Sequence, residues 1–184
     1  HTLNLLPDHG DGDTLSVVSL PVNSSQAHVR VQLDITAIMT SQGRGHVDLG
    51  VSICGCGDNR TLLGYHIEPS DSLVASYIDT THSGGTTPST RQVNELPIDQ
   101  LTAKRREDLY KALTLNIYID HSMIEIFSAE GMHASTLRVY LPHSECQALD
   151  LFMIEGGAEA VAVTEEQVQI SAIVDVYGMK SVAP

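Results

Sequence analysis

The sequence predicts an all-β protein: a two-sheet antiparallel β-sandwich, jelly-roll-like, with at most one short helix, occupying residues 1–184 as a single domain. Three observations carry this expectation. Runs rich in Val, Ile, Thr and Tyr recur at short spacing and are punctuated by Gly, Pro, Asn, Asp and Ser. The intervals between them leave no room for crossover helices, which forces antiparallel pairing. One segment, NIYIDHSMIEIF at 116–127, has the alternation and the central turn of a β-hairpin, and two stacked sheets are the natural closure for so many such strands.

In chain order the strand-like segments are 14–20, 27–39, 47–54, 61–68, 72–79, 113–120, 123–128, 134–141, 148–154, 158–163 and 167–177. Only 99–111, DQLTAKRREDLYK, is compatible with helix, with Asp99 as N-cap and Leu101, Leu109 and Tyr110 as a thin apolar edge. The stretch 80–97, TTHSGGTTPSTRQVNELP, reads as a long polar connection.

The hairpin is specified most tightly. Leu115, Ile117 and Ile119 alternate with Asn116, Tyr118 and Asp120, and after a two-residue turn at His121 and Ser122 the alternation resumes with Ile124 and Ile126. That turn pairs Asp120 with Met123, Ile119 with Ile124 and Tyr118 with Glu125, which gathers the four isoleucines on one side and opposes slippage. Asp120 and Glu125 are then diagonal neighbours, roughly 7 to 8 Å apart, a separation that also suits glycosidase carboxylates and so decides nothing alone. Asp120 is expected to start the turn by accepting a backbone N–H two residues on. Glu125 is expected on the outer face, solvated or within reach of Arg138 on the next strand.

A chain of 184 residues can bury about 70% of the surface its unfolded form exposes, so it needs neither metal nor disulfide to fold. Ten basic against 23 acidic residues give a net charge of −13, the wrong sign for nucleic acid or an anionic membrane. No apolar run approaches the length of a membrane span. The chain opens on His1 rather than Met, as a processed protein or a fragment would. Asn23 and Asn59 head glycosylation sequons in turn-like sequence, and with the acidic balance they point to a secreted or vacuolar location.

Cys54, Cys56 and Cys146 cannot all pair with one another. The expectation is buried thiols, with one disulfide from Cys146 to Cys54 or Cys56 as the alternative. A zinc or thiol site at Cys54 and Cys56 fails on ligand count. The HExxH, GxxxxGK[ST], strand-linked GxGxxG and GxSxG patterns are absent, and residues 8–13, DHGDGD, lack the remaining positions of an EF-hand loop. The nine histidines are scattered, and single ones such as His66 and His121 are expected in turns or on the surface. No metal and no cofactor is expected.

Residues 113–142, LTLNIYIDHSMIEIFSAEGMHASTLRVYLP, resemble the C-terminal β-sandwich of glycoside hydrolase family 32, the invertases, inulinases and levanases. Asp120, Ser122, Ile124, Glu125, Ile126, Phe127, Gly131, Arg138, Val139 and Tyr140 follow that family's pattern, with Leu141 inserted before Pro142. Residues 51–84 are similar to its preceding strands, although Thr80 stands where Arg is usual. The resemblance implies a sandwich that in the family follows a five-bladed propeller bearing the catalytic carboxylates. The Asn-Asp-Pro-Asn and Arg-Asp-Pro motifs of that propeller do not occur here, and Glu145-Cys146 spells its acid/base motif outside that context.

No catalytic residue is therefore expected. The leading expectation is a lectin-like, non-catalytic module for fructose-containing or related glycans, since family-related modules hold terminal fructose units. Its candidate polar face is Tyr118, Asp120, Glu125, Arg138 and Tyr140, where carboxylates and Arg can bond sugar hydroxyls and Tyr can pack on the ring. The alternative is a piece of a β-fructofuranosidase or fructan hydrolase that braces the propeller or mediates self-association.

Overall fold

The computed structural model describes residues 2–5, 14–20, 26–41, 45–56, 59–84, 87–140, 149–156 and 170–178, and the description that follows concerns these. Twelve strands form two antiparallel six-stranded sheets. They are β1 (Thr2–Leu5), β2 (Thr14–Leu20), β3 (Gln26–Asp34), β4 (His46–Cys56), β5 (Asn59–Glu68), β6 (Leu73–His82), β7 (Arg91–Glu95), β8 (Leu113–Asp120), β9 (Met123–Ser128), β10 (His133–Arg138), β11 (Leu149–Gly156) and β12 (Ile170–Gly178). The order is β1-β12-β3-β8-β9-β10 in the first sheet and β2-β11-β4-β5-β6-β7 in the second. The last strands thus return between the first ones and close both sheets.

Period-two alternation places the core. Ala27, Val29, Val31 and Leu33 of β3, Leu115, Ile117 and Ile119 of β8, and Ile124 and Ile126 of β9 face Val47, Leu49 and Val51 of β4, Leu63, Tyr65 and Ile67 of β5, and Leu151 and Met153 of β11 in one buried cluster. Each such aliphatic side chain contributes roughly 1.5 to 3 kcal/mol relative to exposure. The predicted hairpin register holds at every pair: Ile119 opposite Ile124, Tyr118 opposite Glu125, Asp120 opposite Met123.

Polar ties cross the core at two points. Ser76 on β6 lies 2.9 Å from His133 Nδ1 on β10. The fully buried Tyr65 hydroxyl donates to the Thr114 carbonyl and accepts from the Ala129 N–H at 2.7 Å. The Ala129 and Glu130 turn it pins has φ of 49° and 57° at two non-glycine residues, with the Glu130 N–H held by Thr114 Oγ1 at 3.0 Å.

Several expectations are corrected. The segment 27–39 is not one strand: β3 ends at Asp34, whose carboxylate accepts the Thr36 N–H at 3.0 Å and turns the chain into a single helical turn, α1 (Thr36–Thr40), with Ile35 and Ile38 still buried. The longer helix, α2 (Ala103–Lys111), is capped by Thr102, which accepts the Arg105 N–H; Asp99 sits in a preceding 3-10 turn, Ile98–Gln100. The polar stretch 80–97 contains β7, an exposed edge strand on β6. Thr80, where the resemblance implies Arg, is buried, and its hydroxyl donates to the Pro88 carbonyl at 2.7 Å and accepts the Thr90 N–H at 3.0 Å. Strand β1 was not foreseen, and the expected strand at 158–163 lies outside the described residues.

Candidate functional site

The outer face of the first sheet is built by residues that alternate with the core positions, and the strand registers align them in rows across the strands. One row runs Tyr177 (β12), His28 (β3), Tyr118 (β8), Glu125 (β9) and Thr136 (β10). Beside it lies a row of Gln26, Asp120, Met123 and Arg138, and on its other side one of Asp175, Arg30, Asn116 and Phe127.

The central row is aromatic. His28 stacks on Tyr118 with centroids 4.2 Å apart and on Tyr177 at 5.5 Å, while Phe127 meets Tyr118 edge to face at 5.9 Å. These rings shield one another, so one face of Tyr118 is closed by His28 and it presents chiefly its edge and hydroxyl. Tyr177, 55% exposed, ends the stack. His28 Nε2 is enclosed without a hydrogen-bond partner, the consequence of sitting between two rings.

The flanking polar groups are ordered by short contacts. The Asp120 carboxylate accepts from Gln26 Nε2 at 2.9 Å and lies 2.7 Å from His121 Nδ1; these two hydrogen bonds hold its pKa below the ordinary carboxylate range. The turn contact expected for Asp120, a backbone N–H two residues on, gives way to these partners, and His121 takes a left-handed φ of 54°. Arg138 does not reach Glu125 either. Opposite Met123 in the register, it donates to the Tyr140 hydroxyl at 3.4 Å and lies over that ring at 6.0 Å, leaving Glu125 exposed.

Four of the predicted residues, Tyr118, Asp120, Glu125 and Arg138, thus share one open face, and Tyr140 adjoins them through Arg138. Sequence reading missed His28, Tyr177, Phe127 and Gln26. Each alternates correctly along its own strand, but only the pairing of β3 with β8 and of β12 with β3 brings them together, and that pairing has no local signature.

The other sheet's outer face uses its charges internally. Asp48, almost fully buried, lies 2.5 Å from His66 Nδ1 and 3.3 Å from Arg91, while His66 Nε2 is 2.9 Å from Glu68. The His66 hydrogen bond depresses the Glu68 pKa. Arg91 also covers the Tyr77 ring at 5.3 Å, and burial, then the Asp48 and Asp79 charges, push that phenol up. His66 is therefore a buried, doubly bonded residue rather than a surface one; His121 does sit in an exposed turn. Among the described residues no cluster of three metal-ligating side chains occurs, and no helix is long and apolar enough to cross a membrane.

The remaining sequence candidates are placed only in part. Cys54 and Cys56 lie on β4, whose register against β5 shifts between Ile53 and Cys56. Cys146, Glu145, Asn23 and residues 8–13 lie outside the described residues. Asn59 opens β5 with its carboxamide against Gly84, a glycine whose φ of 71° and missing Cβ make the contact possible.

The profile described as Glycosyl hydrolases family 32 C terminal matches residues 5–171. The chain belongs to this family. Among solved structures, this family 32 C-terminal domain is similar to fructan 1-exohydrolase IIa from Cichorium intybus, with a TM-score of 0.57 and 17% identity over 94% of this chain and 35% of that one. It is similar also to the exo-inulinase of Aspergillus awamori, with a TM-score of 0.56 and 18% identity over 98% of this chain and 28% of that one. A third is the Aspergillus kawachii beta-fructofuranosidase complexed with glycerol, at 0.54 and 13% over 96% and 27%. At these identities the likeness shows the fold, and the chain spans 35% or less of each enzyme's length. No curated protein sequence matches it.

Proposed function

We propose that this family 32 C-terminal domain is a non-catalytic carbohydrate-binding sandwich, and that the outer face of the first sheet takes fructose-containing or related glycans. The supporting observation is the convergence of Tyr118, Asp120, Glu125 and Arg138 on an open face whose centre is a Tyr177, His28, Tyr118 aromatic stack. Sugars have apolar C–H faces and a rim of hydroxyls, so a ridge of ring edges between two polar rows matches both. Asp120 and Glu125 accept hydroxyl protons, Arg138 donates to ring or hydroxyl oxygen, and Tyr177 offers the most exposed ring of the row. Charge-assisted hydrogen bonds of this kind contribute about 1.5 to 3 kcal/mol each. Calorimetry against levan, inulin, sucrose and simple sugars tests the proposal. Heat that saturates with a fructan or sucrose supports it; no heat with any of them at millimolar concentration ends it.

A second reading is favoured by a different observation. The chain spans only 35% or less of the enzymes it resembles, and Tyr177, Ile173, Met123, Phe127 and Tyr118 leave apolar surface exposed on the same face. In that reading the sandwich braces a catalytic propeller or pairs with another copy. Native mass measurement on source material separates the two, because a partner of propeller size or a doubled mass supports the brace and a lone mass near that of this chain opposes it. A secreted or vacuolar setting, with glycans at Asn23 or Asn59, belongs to both proposals and is checked by the mass lost on enzymatic deglycosylation.

A further inference from the structure

The central row crosses β12, β3, β8 and β9, with Tyr177, His28, Tyr118 and Glu125 directly opposite one another in register. Three strand-to-strand steps of about 4.8 Å make it roughly 14 Å long. The flanking rows, Gln26, Asp120, Met123 and Arg138 on one side and Asp175, Arg30, Asn116 and Phe127 on the other, each lie two residues along the strands, roughly 6.6 Å from the ridge. Among the described residues no wall closes either end: Tyr177 and Thr136 are both exposed, as are Asp175, Arg30, Glu125 and Arg138. A cavity of about 310 Å³ lies elsewhere, between α2 and the 129–132 turn, lined by Leu101, Leu109 and Met132 among others.

Resting on the carbohydrate reading above, we propose that this face recognises the interior of an extended oligosaccharide of three or more units, laid along the aromatic row, rather than a terminal sugar. A terminal unit is recognised by enclosure, which desolvates all of its hydroxyls at once; an open ridge gives each unit contacts on one side only. Affinity on such a surface must accumulate from repeated weak contacts, because a single small sugar cannot offset the loss of translational and rotational freedom with half of its surface still in water. The aromatic part of the ridge, Tyr177 to Tyr118, spans two strand steps, about 10 Å, and Glu125 extends it to about 14 Å, the reach of roughly three sugar units. The polar rows on both sides meet the hydroxyls that project from the two edges of such a chain. The right-handed sheet twist turns the row by about 20° per strand, so a helically coiled or flexible chain fits it better than a flat one.

Calorimetric titration of the full 184-residue chain with fructose, sucrose, and inulin-type and levan-type oligomers of two to six units reads this directly. Affinity is expected to rise about tenfold or more between the disaccharide and the trimer or tetramer and then to level off. Tyr177→Ala, at one end of the row and away from the core, is expected to remove most of that gain while leaving the melting temperature within a degree or two. Equal affinity for fructose and for the tetramer overturns the extended-chain inference and leaves the carbohydrate reading standing. Absence of binding at every length overturns both.

Discussion

Replacing Tyr65 by phenylalanine removes one oxygen atom from the centre of the sandwich, and the structure allows the cost to be worked out. Tyr65 is fully buried on β5, and its hydroxyl serves two backbone groups, donating to the Thr114 carbonyl and accepting from the Ala129 N–H at 2.7 Å. Burial also pushes the phenol's pKa well above its ordinary value, with the Ala129 and Ser128 contacts acting the other way, so it stays a neutral donor throughout the accessible range. Phenylalanine keeps the ring and its packing but loses both hydrogen bonds, each with a net contribution of about 1 kcal/mol, and leaves the Ala129 N–H buried without a partner at a further cost of about 1 to 3 kcal/mol. Ala129 cannot simply rotate to another acceptor, because it is itself buried and starts a turn with left-handed φ at two successive non-glycine residues. The expected loss is about 3 to 5 kcal/mol, a fall of roughly 6 to 20 °C in Tm at this chain length. Urea unfolding followed by circular dichroism measures it, and amide exchange at Ala129 and Glu130 should accelerate in the variant. Thr114→Val, which removes the acceptor of the Glu130 N–H, should be less than additive with it, since both loosen one turn. A Tyr65→Phe loss under about 0.5 kcal/mol would refute the view that this hydroxyl holds the β9 to β10 turn to the core.

Gly64→Ala should be more severe, because its Cβ would fall 2.0 Å from the Leu49 carbonyl oxygen; a loss of about 3 kcal/mol or more, or failure to obtain soluble protein, is expected in the same unfolding assay. Acid should destabilise the chain through Glu68 and Asp79: both carboxyls have depressed native pKa values, Glu68 through its bond to His66, and Asp79 because bonds from Thr81 and Tyr77 outweigh the opposing effect of burial. Their contribution is complete above about pH 4.5 and lost as pH falls through the lower native values, so Glu68→Gln should lower stability near neutrality and flatten the profile in that window, the two proteins converging at lower pH. Tyr118→Ala should weaken fructan binding about tenfold in calorimetry, and since it also removes the stack on His28 it should cost about 1 kcal/mol of stability. Arg138→Ala, on an exposed edge strand, should weaken binding with a stability change within about 0.5 kcal/mol.

The parts of this structure legible in the sequence are those fixed by neighbours in the chain. The 113–128 hairpin was read to the residue because a two-residue turn and four isoleucines leave one register that buries them all. Strand β7 was not, since RQVNE is an exposed edge with no apolar alternation, and its place is set by pairing with β6 and by the Arg91 contacts to Asp48 and Tyr77, both distant in sequence. The break after Asp34 was hidden by Ile35 and Ile38, which are as buried in a helical turn as they would be in a strand. For the site the division is similar. Tyr118, Asp120, Glu125 and Arg138 lie within one meander and their shared face follows from alternation; His28 and Tyr177 join them through pairings of strands about 90 and 150 residues apart, which only the closed sheet order reveals.

The two outer faces of the sandwich solve the problem of surface charge in opposite ways, and the difference bears on function. On the second sheet Asp48 is almost wholly enclosed and shares its oxygens between His66 and Arg91, while His66 reaches Glu68 and Arg91 covers Tyr77. Breaking one partner of this group would strand a buried carboxylate, so these charges hold the face's own structure together. On the first sheet the rings satisfy one another instead, and the carboxylates and guanidinium groups beside them stay at the surface, where an exposed pair such as Asp120 with His121 contributes little to stability. Residues that contribute little to the fold yet stand in register with an exposed aromatic row are the ones a ligand can engage without unfolding cost. That contrast assigns the binding proposal to the first sheet, and it predicts that Asp120→Asn and Glu125→Gln together lower glycan affinity while Tm stays put, whereas Asp48→Asn lowers Tm and leaves affinity per folded molecule unchanged. The reverse pattern, measured on the same purified variants, would move the site to the other side of the sandwich.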